Sequence, residues 1–134
     1  MKLQIALDLD SADKAVAMAA QVYGLVDIIE LGTPLMLKEG VGVVGLMKRR
    51  FPDALILADM KIADGGYMEA RFAVEEGADI VTVLGMAEDE TILGVKQATH
   101  EAGAPCLCGH AGGDGPCRPR RADRRRDGRS GAHR

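Results

Sequence analysis

The 134-residue sequence contains no tryptophan and only two phenylalanines and two tyrosines. No apolar run approaches the roughly 18 residues that span a bilayer, which excludes a membrane protein or a membrane partner. The first apolar stretch is interrupted by Asp8 and Asp10 too early for a secretion signal, so we expect a cytoplasmic protein. The composition, with 47% hydrophobic and 28% charged residues, lies in the range of soluble domains.

Aliphatic residues are missing from the end of the chain, where no Val, Ile, Leu, Met, Phe or Tyr follows Leu107. Residues 104–134 instead contain eight arginines, six glycines and all three cysteines. Since such a segment cannot bury enough apolar surface to offset the entropy lost on ordering, we predict that 104–134 is a disordered tail. Charge changes at the same boundary, from a net −8 in residues 1–103 to +5 in residues 104–134.

Two kinds of site that the tail suggests lack the pattern they require. The Arg-rich run 118–129 could contact phosphates, but nearby aspartates dilute it and aromatic platforms are absent, so we expect no nucleic-acid partner. Cys106, Cys108 and Cys117 with His110 have neither the Cys-x-x-Cys spacing of zinc sites nor an apolar framework around them.

Residues 1–103 alternate between short β-branched runs and longer segments with helical spacing, which is typical of β-α units around a parallel sheet. The predicted strands are 3–8, 28–31, 55–59 and 80–84, and the predicted helices are 12–23, 38–50, 66–76 and 89–103. These four units favour an α/β fold that forms the first half of a truncated (β/α)8 TIM barrel, which needs about 250 residues when complete. A Rossmann sheet is the alternative, but the Gly-x-Gly-x-x-Gly run at 40–45 lies inside a helical segment.

Charged residues lie at the carboxyl ends of the predicted strands, where a parallel barrel assembles its active site: Asp8, Glu30, Asp59 and Lys61. Carboxylates gathered there repel one another unless a cation lies among them, so we expect a divalent metal, Mg²⁺ or Mn²⁺. Asp59 and Lys61 face the same side of a strand, and a lysine beside carboxylates stays protonated and can stabilise a developing anion. Capping of the following helix is the alternative role for any one of these carboxylates.

The run Asp59-x-Lys61-x-x-Asp64 follows the third predicted strand, and the segments 3–8, 27–34 and 77–85 accompany it in order. Together they resemble the orotidine monophosphate decarboxylase superfamily and, within it, the family of hexulose-6-phosphate synthases and ketogulonate-phosphate decarboxylases. The runs 82–85 and 91–94 favour the synthase branch. The resemblance covers residues 1–103 and does not extend into the tail.

The resemblance implies an aldehyde-lyase that condenses formaldehyde with the phosphosugar D-ribulose 5-phosphate, the entry step of the ribulose monophosphate pathway. It implies that Glu30 and Asp59 bind the metal and that Asp8, together with Glu30 and Lys61, contacts the substrate. Lys61, Asp59 and Asp64 would act in catalysis, with Asp64 presented to the partner subunit's site in a homodimer. Decarboxylation of 3-keto-L-gulonate 6-phosphate or of orotidine 5'-phosphate is the alternative chemistry.

The second half of that family's barrel has no counterpart here, including its fifth-strand acid, its sixth-strand histidine and its phosphate-binding loops. His100, His110 and His133 lie on the last predicted helix or in the tail, and we assign them no catalytic role. The chain is therefore half of an enzyme or an inactive truncated remnant. Out-of-frame translation of the tail is our hypothesis for the change near Pro105, because codons from Cys106 onward, read one nucleotide later, can encode Val-Phe-Val-Asp-Met-Leu, which resembles the family's fifth strand.

Overall fold

A computed structural model describes residues 1–104, 106–109 and 115–116. The strands are β1 (Gln4–Leu7), β2 (Ile28–Leu31), β3 (Leu55–Ile62), β4 (Ile80–Leu84), β5 (Cys106–Gly109) and β6 (Gly115–Pro116). The helices are α1 (Ala12–Val22), α2 (Thr33–Glu39), α3 (Gly42–Arg50), α4 (Gly66–Glu75) and α5 (Asp89–Glu101). Among the residues described, no helix combines the length and the apolar character that crossing a bilayer requires.

Strands β1 to β5 are parallel neighbours in chain order, and β6 pairs antiparallel with β5. Each of the first four strands is followed by helical structure, which returns the chain so that the next strand can run in the same direction. This arrangement confirms the predicted α/β fold, with four successive β-α units as in the first half of a TIM barrel.

The sheet has two faces of different character. Leu7, Ile29, Ile56 and Val81 lie on one face, are at most 2% exposed, and pack in a single core with apolar residues of the helices. We call this the helix-packed face. The residues that alternate with them form the opposite face, and they are listed here by strand: Gln4 and Ala6, Ile28 and Glu30, Leu55, Leu57 and Asp59, and Ile80 and Thr82.

Helix α1 shows how local sequence sets one of these units. Ser11 is its N-cap, and the Ser11 hydroxyl accepts a hydrogen bond from the Lys14 amide at 3.4 Å. Ala15 and Ala19 lie one turn apart and are completely buried, so the helix presents a smooth small-residue stripe to the core. The chain leaves this unit through Gly24, whose φ of 88° is accessible to glycine without steric cost.

The predicted single helix over 38–50 is wrong, because the structure contains two helices there. Helix α2 begins earlier, at Thr33, with Pro34 in its first turn where the missing amide costs nothing. It ends at Gly40, whose φ of 73° breaks the helical path before α3 begins at Gly42. The glycine run at 40–45 therefore spans a helix-helix junction, which differs from the strand-turn-helix context of dinucleotide binding.

The predicted disordered tail includes residues that the structure places in strands. Cys106–Gly109 forms β5, which pairs with β4 over Val81 to Leu84, and Gly115–Pro116 forms β6. For these residues the prediction is corrected: the edge of β4 offers backbone donors and acceptors, and pairing with them does not require apolar side chains. The Arg-rich run, Cys117, His110 and the rest of the tail lie outside the described residues.

Candidate active site

The predicted site residues of the first three strands converge at the carboxyl ends of those strands, on the opposite face of the sheet. Glu30 of β2 is in register with Ala6 of β1 and Leu57 of β3, and Asp59 follows Leu57 on the same face. Asp8 follows the end of β1. Neighbouring parallel strands thus carry three carboxylates to one edge of the sheet.

Asp59 is the best-anchored of these carboxylates and is only 7% exposed. The Thr33 hydroxyl lies 2.8 Å from Asp59 Oδ2, and the Thr82 hydroxyl donates to Oδ1 at 2.9 Å. The Lys61 ammonium pairs with Oδ2 and also donates to the Thr33 hydroxyl at 2.8 Å. Both oxygens of Asp59 are therefore held in place by groups from α2, β3 and β4.

These contacts decide the charge on Asp59. Burial alone would raise the pKa of this carboxyl, but hydrogen bonds from Lys61, Thr33 and Thr82 outweigh it and hold the pKa below its usual range. Asp59 is consequently a carboxylate at neutral pH, paired with an ammonium group that is half-exposed to incoming substrate.

Glu30 has the opposite tendency. Burial raises the pKa of the Glu30 carboxyl above its usual value, and the negative charges of Asp59 and Asp8 add to the increase. A hydrogen bond of 2.6 Å from Gln4 Nε2 to Glu30 Oε2 opposes it, as does the Lys61 charge. Two neighbouring carboxyls thus have pKa values shifted apart, which is a property of sites that handle protons or cations.

Asp8 lies at the rim and is exposed to solvent. Its carboxylate closely approaches Gly32, where an added Cβ would lie 2.0 Å from Asp8 Oδ1. Gly32 also donates its amide to the Leu7 carbonyl at 3.2 Å. The absence of a side chain at position 32 therefore allows the ends of β1 and β2 to bring Asp8 beside the other carboxylates.

Asp64 lies apart from this cluster. Its carboxylate is exposed and accepts the Gly65 amide at 2.7 Å, and among the described residues no hydrogen bond or ion pair joins it to Asp59 or Lys61. Its backbone carbonyl accepts the Thr91 hydroxyl at 3.0 Å, which ties the loop to α5. Within this chain the local backbone role is the one observed for Asp64.

The residues fit a metal of the magnesium type only in part. Within the described part of the chain, no three His, Cys, Asp or Glu side chains are grouped as a metal site. Glu30 and Asp59 nevertheless supply hard oxygen donors whose mutual repulsion a cation would relieve. Mg²⁺ commonly takes one or two protein carboxylates and keeps several waters, so this pair suits it better than a closed protein cage would.

Three polar residues of the site are absent from the sequence-based prediction: Thr33, Thr82 and Gln4. Thr82 and Gln4 lie on the same face as Glu30 by strand alternation, so a search for polar residues at inward positions would have found them. Thr33 is harder to find, because it follows β2 in the first turn of α2, which begins before the predicted helix does.

A model of the orotidine 5'-phosphate decarboxylase / HUMPS family matches residues 1–115. The 3-hexulose-6-phosphate synthase of Mycobacterium gastri is 51% identical over 98 residues, which are 73% of this chain and 47% of that protein. The 3-hexulose-6-phosphate synthase of Bacillus subtilis is 45% identical over 94 residues, 70% of this chain and 45% of that protein. The chain thus spans about half the length of these curated relatives.

Solved structures resemble the chain to the same extent. A 3-hexulose-6-phosphate synthase from Salmonella typhimurium superposes with a TM-score of 0.77 at 42% identity, covering 79% of this chain and 50% of that chain. KGPDC from Streptococcus mutans, solved in complex with a phosphosugar, superposes with a TM-score of 0.77 at 32% identity, covering 80% and 50%.

Proposed function

Because the chain belongs to the orotidine 5'-phosphate decarboxylase / HUMPS family, we propose that it is the first half of a 3-hexulose-6-phosphate synthase. The activity would be the aldol condensation of formaldehyde with D-ribulose 5-phosphate, within a cytoplasmic pathway of formaldehyde assimilation. The synthases compared above are more similar in sequence to this chain than KGPDC is. That ranking favours synthase chemistry over decarboxylation.

The observation that carries the proposal is the ion pair of Asp59 and Lys61, fixed between two threonines at the strand ends. Removal of a proton next to the ketose carbonyl produces an enediolate, and its negative charge needs a cation that is already oriented. The Lys61 ammonium is such a group, because Asp59 and Thr33 hold its Nζ atom. The carbon of the enediolate then bonds to the formaldehyde carbon.

We further propose Mg²⁺, or Mn²⁺ in its place, as the cofactor, held by Glu30 and Asp59. When bound, the metal would supply Lewis-acid polarisation of the substrate oxygens. Asp8 at the rim would contact substrate hydroxyls, since it is exposed and close to Glu30. The hydrogen bond from Gln4 and the charge of a nearby cation would both favour the ionised form of Glu30.

The exposure of Asp64 supports one more proposal, that of a homodimer. A carboxylate that faces solvent at the edge of this site is available to a second subunit, which is the arrangement that the family resemblance implies. In that assembly Asp64 would serve the partner subunit's site.

The assay that tests the function measures formaldehyde-dependent consumption of D-ribulose 5-phosphate with Mg²⁺. It should be run on this chain and on an extended chain, which we define as residues 1–103 followed by the C-terminal half of the Mycobacterium gastri synthase. We expect activity in the extended chain. Absence of activity in both proteins, with the extended chain folded, would refute the proposal.

Two alternatives are separated by the same samples. KGPDC shares the fold, so consumption of 3-keto-L-gulonate 6-phosphate that is faster than that of ribulose 5-phosphate would assign decarboxylase chemistry instead. An inactive remnant is the non-enzyme alternative, because the chain spans about half of its relatives. Activity in the extended chain and none in this chain would identify it as such a remnant, and sequencing of the coding DNA would test the out-of-frame origin of its tail.

A further inference from the structure

The third strand is irregular at the site, and one residue of its neighbour faces the irregular stretch. Ala58 pairs with Val81, but the next pairing is between Ile62 and Val83. Strand β3 therefore advances four residues while β4 advances two, so that two extra residues bulge out of β3. Thr82 is the β4 residue opposite this bulge.

The bulge forces Lys61 into a conformation that side chains seldom adopt. Its φ is 48°, and it is the one non-glycine residue with positive φ in the described part of the chain. For an L-residue with a long side chain this left-handed conformation is unfavourable, so surrounding contacts have to hold it.

The Thr82 side chain makes contacts that can do so. Its Oγ1 accepts the Lys61 backbone amide at 3.0 Å and donates to Asp59 Oδ1 at 2.9 Å. One hydroxyl therefore connects the strained backbone of Lys61 with the carboxylate that its ammonium reaches. Thr33 differs, because its hydroxyl meets Lys61 only at the ammonium end.

We propose that Thr82 is the positioning residue of this site, whose hydroxyl holds the Lys61 backbone in its left-handed conformation and thereby delivers the ammonium to Asp59. Thr82 acts through Lys61 and Asp59 and does not itself touch substrate. The backbone part stands on the geometry alone, whereas the catalytic consequence rests on the proposed function.

The backbone part is tested by NMR on the full 134-residue chain carrying Thr82→Val, which keeps the side-chain shape and removes the hydroxyl. Hydrogen exchange of the Lys61 amide should accelerate about tenfold or more. The strong nuclear Overhauser effect between the Lys61 amide and its own Hα, which marks positive φ, should weaken. Thr82→Ser should restore both signals.

Two matched controls separate this role from a general loss of structure. Thr33→Val removes a hydroxyl from the same site without touching the Lys61 amide, so Lys61 exchange should stay unchanged. Thr99→Val removes a buried hydroxyl that donates to the Val95 carbonyl within α5, away from the site. If Thr82→Val does not fold, Thr82→Ala compared with Thr99→Ala gives the same contrast.

The catalytic part is tested in the extended chain, where Thr82→Val should lower kcat about 10- to 100-fold with little change in KM. Thr82→Ser should recover most of kcat, and Thr99→Val should retain it. Unchanged Lys61 exchange in Thr82→Val overturns the proposal whether or not the enzyme is active. An altered Lys61 backbone with kcat unchanged overturns it as well. Failure of the unsubstituted extended chain to turn over substrate would reject the proposed function instead, and the NMR result would then decide the inference alone.

Discussion

The two faces of one sheet differ in what they contribute. On the helix-packed face, Leu7, Ile29, Ile56 and Val81 are almost completely buried. On the opposite face, the positions between them carry Gln4, Glu30, Asp59 and Thr82, whose polar atoms bond to one another or to Lys61. Because side chains alternate along a strand, the same strands can stabilise the fold on one side and assemble a polar site on the other.

The comparison teaches that stability and chemistry are separable in this chain by moving one position along a strand. Substitutions on the helix-packed face should lower the free energy of unfolding, and substitutions on the opposite face should lower activity. The following predictions test that separation, beginning with the largest effect.

Asp59→Asn should reduce kcat of the extended chain about 1,000-fold, because the Lys61 ammonium loses the negative charge that holds it. Asp79→Asn is the matched control, since Asp79 at the other end of the sheet accepts Lys48 Nζ at 2.7 Å and the Ile56 amide at 2.8 Å. That variant should lose stability and keep kcat. Equal losses of kcat in the two variants would contradict the separation.

Ile29→Ala should lower the free energy of unfolding by about 3 kcal/mol, since Ile29 is completely buried in the core. Ile28→Ala changes the adjacent residue of β2, which is half-buried on the opposite face, and should cost less than half as much. Urea unfolding of both variants measures the difference. Similar losses would show that the two faces are packed equally.

Gly66→Ala should destabilise the chain by about 1–3 kcal/mol, because a Cβ there would lie 2.2 Å from the Thr91 carbonyl where α4 crosses α5. Gly42→Ala is the control, since a Cβ at the start of α3 would meet no atom within 4 Å. Its stability should be unchanged or slightly higher. Thermal unfolding of the two variants checks the prediction, and an undiminished Tm in Gly66→Ala would refute it.

Glu30→Gln should have the smallest effect, on the pH dependence of stability. The folded-state pKa of Glu30 is raised, so the folded chain binds more protons than the unfolded chain between the usual carboxyl pKa and the raised value. Stability from this group is therefore lost as pH rises through that window. Urea unfolding at pH values from about 4 to 7 should show a shallower decline in Glu30→Gln, and an identical pH profile would contradict the shift.

The sequence predicted the four β-α units and the meeting of Asp59 with Lys61, because both follow from periodicity and from the shared edge of parallel strands. It did not predict the break at Gly40, since the apolar spacing of α2 and α3 reads as one continuous helix. The bulge in β3 was also missed: the alternation that placed Asp59 and Lys61 on one face assumes a regular strand, whereas Lys61 has a left-handed backbone.

Strand β5 could not be predicted for a different reason. It pairs with β4 through its backbone, and Cys106 to Gly109 carry little of the β-branched signal that marks the other strands. Likewise, the part of the site formed by Thr33 and Thr82 depends on hydroxyl contacts between elements, which a single sequence does not reveal.

One pair of lysine variants tests the central claim most directly, because the same change is made at the site and away from it. In the extended chain, formaldehyde-dependent consumption of ribulose 5-phosphate should fall about 100- to 1,000-fold in Lys61→Met, while its stability stays close to that of the unsubstituted protein. Lys48→Met, which breaks the contact with Asp79, should keep the rate and lose stability. An undiminished rate in Lys61→Met would contradict the assignment of the chemistry to this face of the sheet.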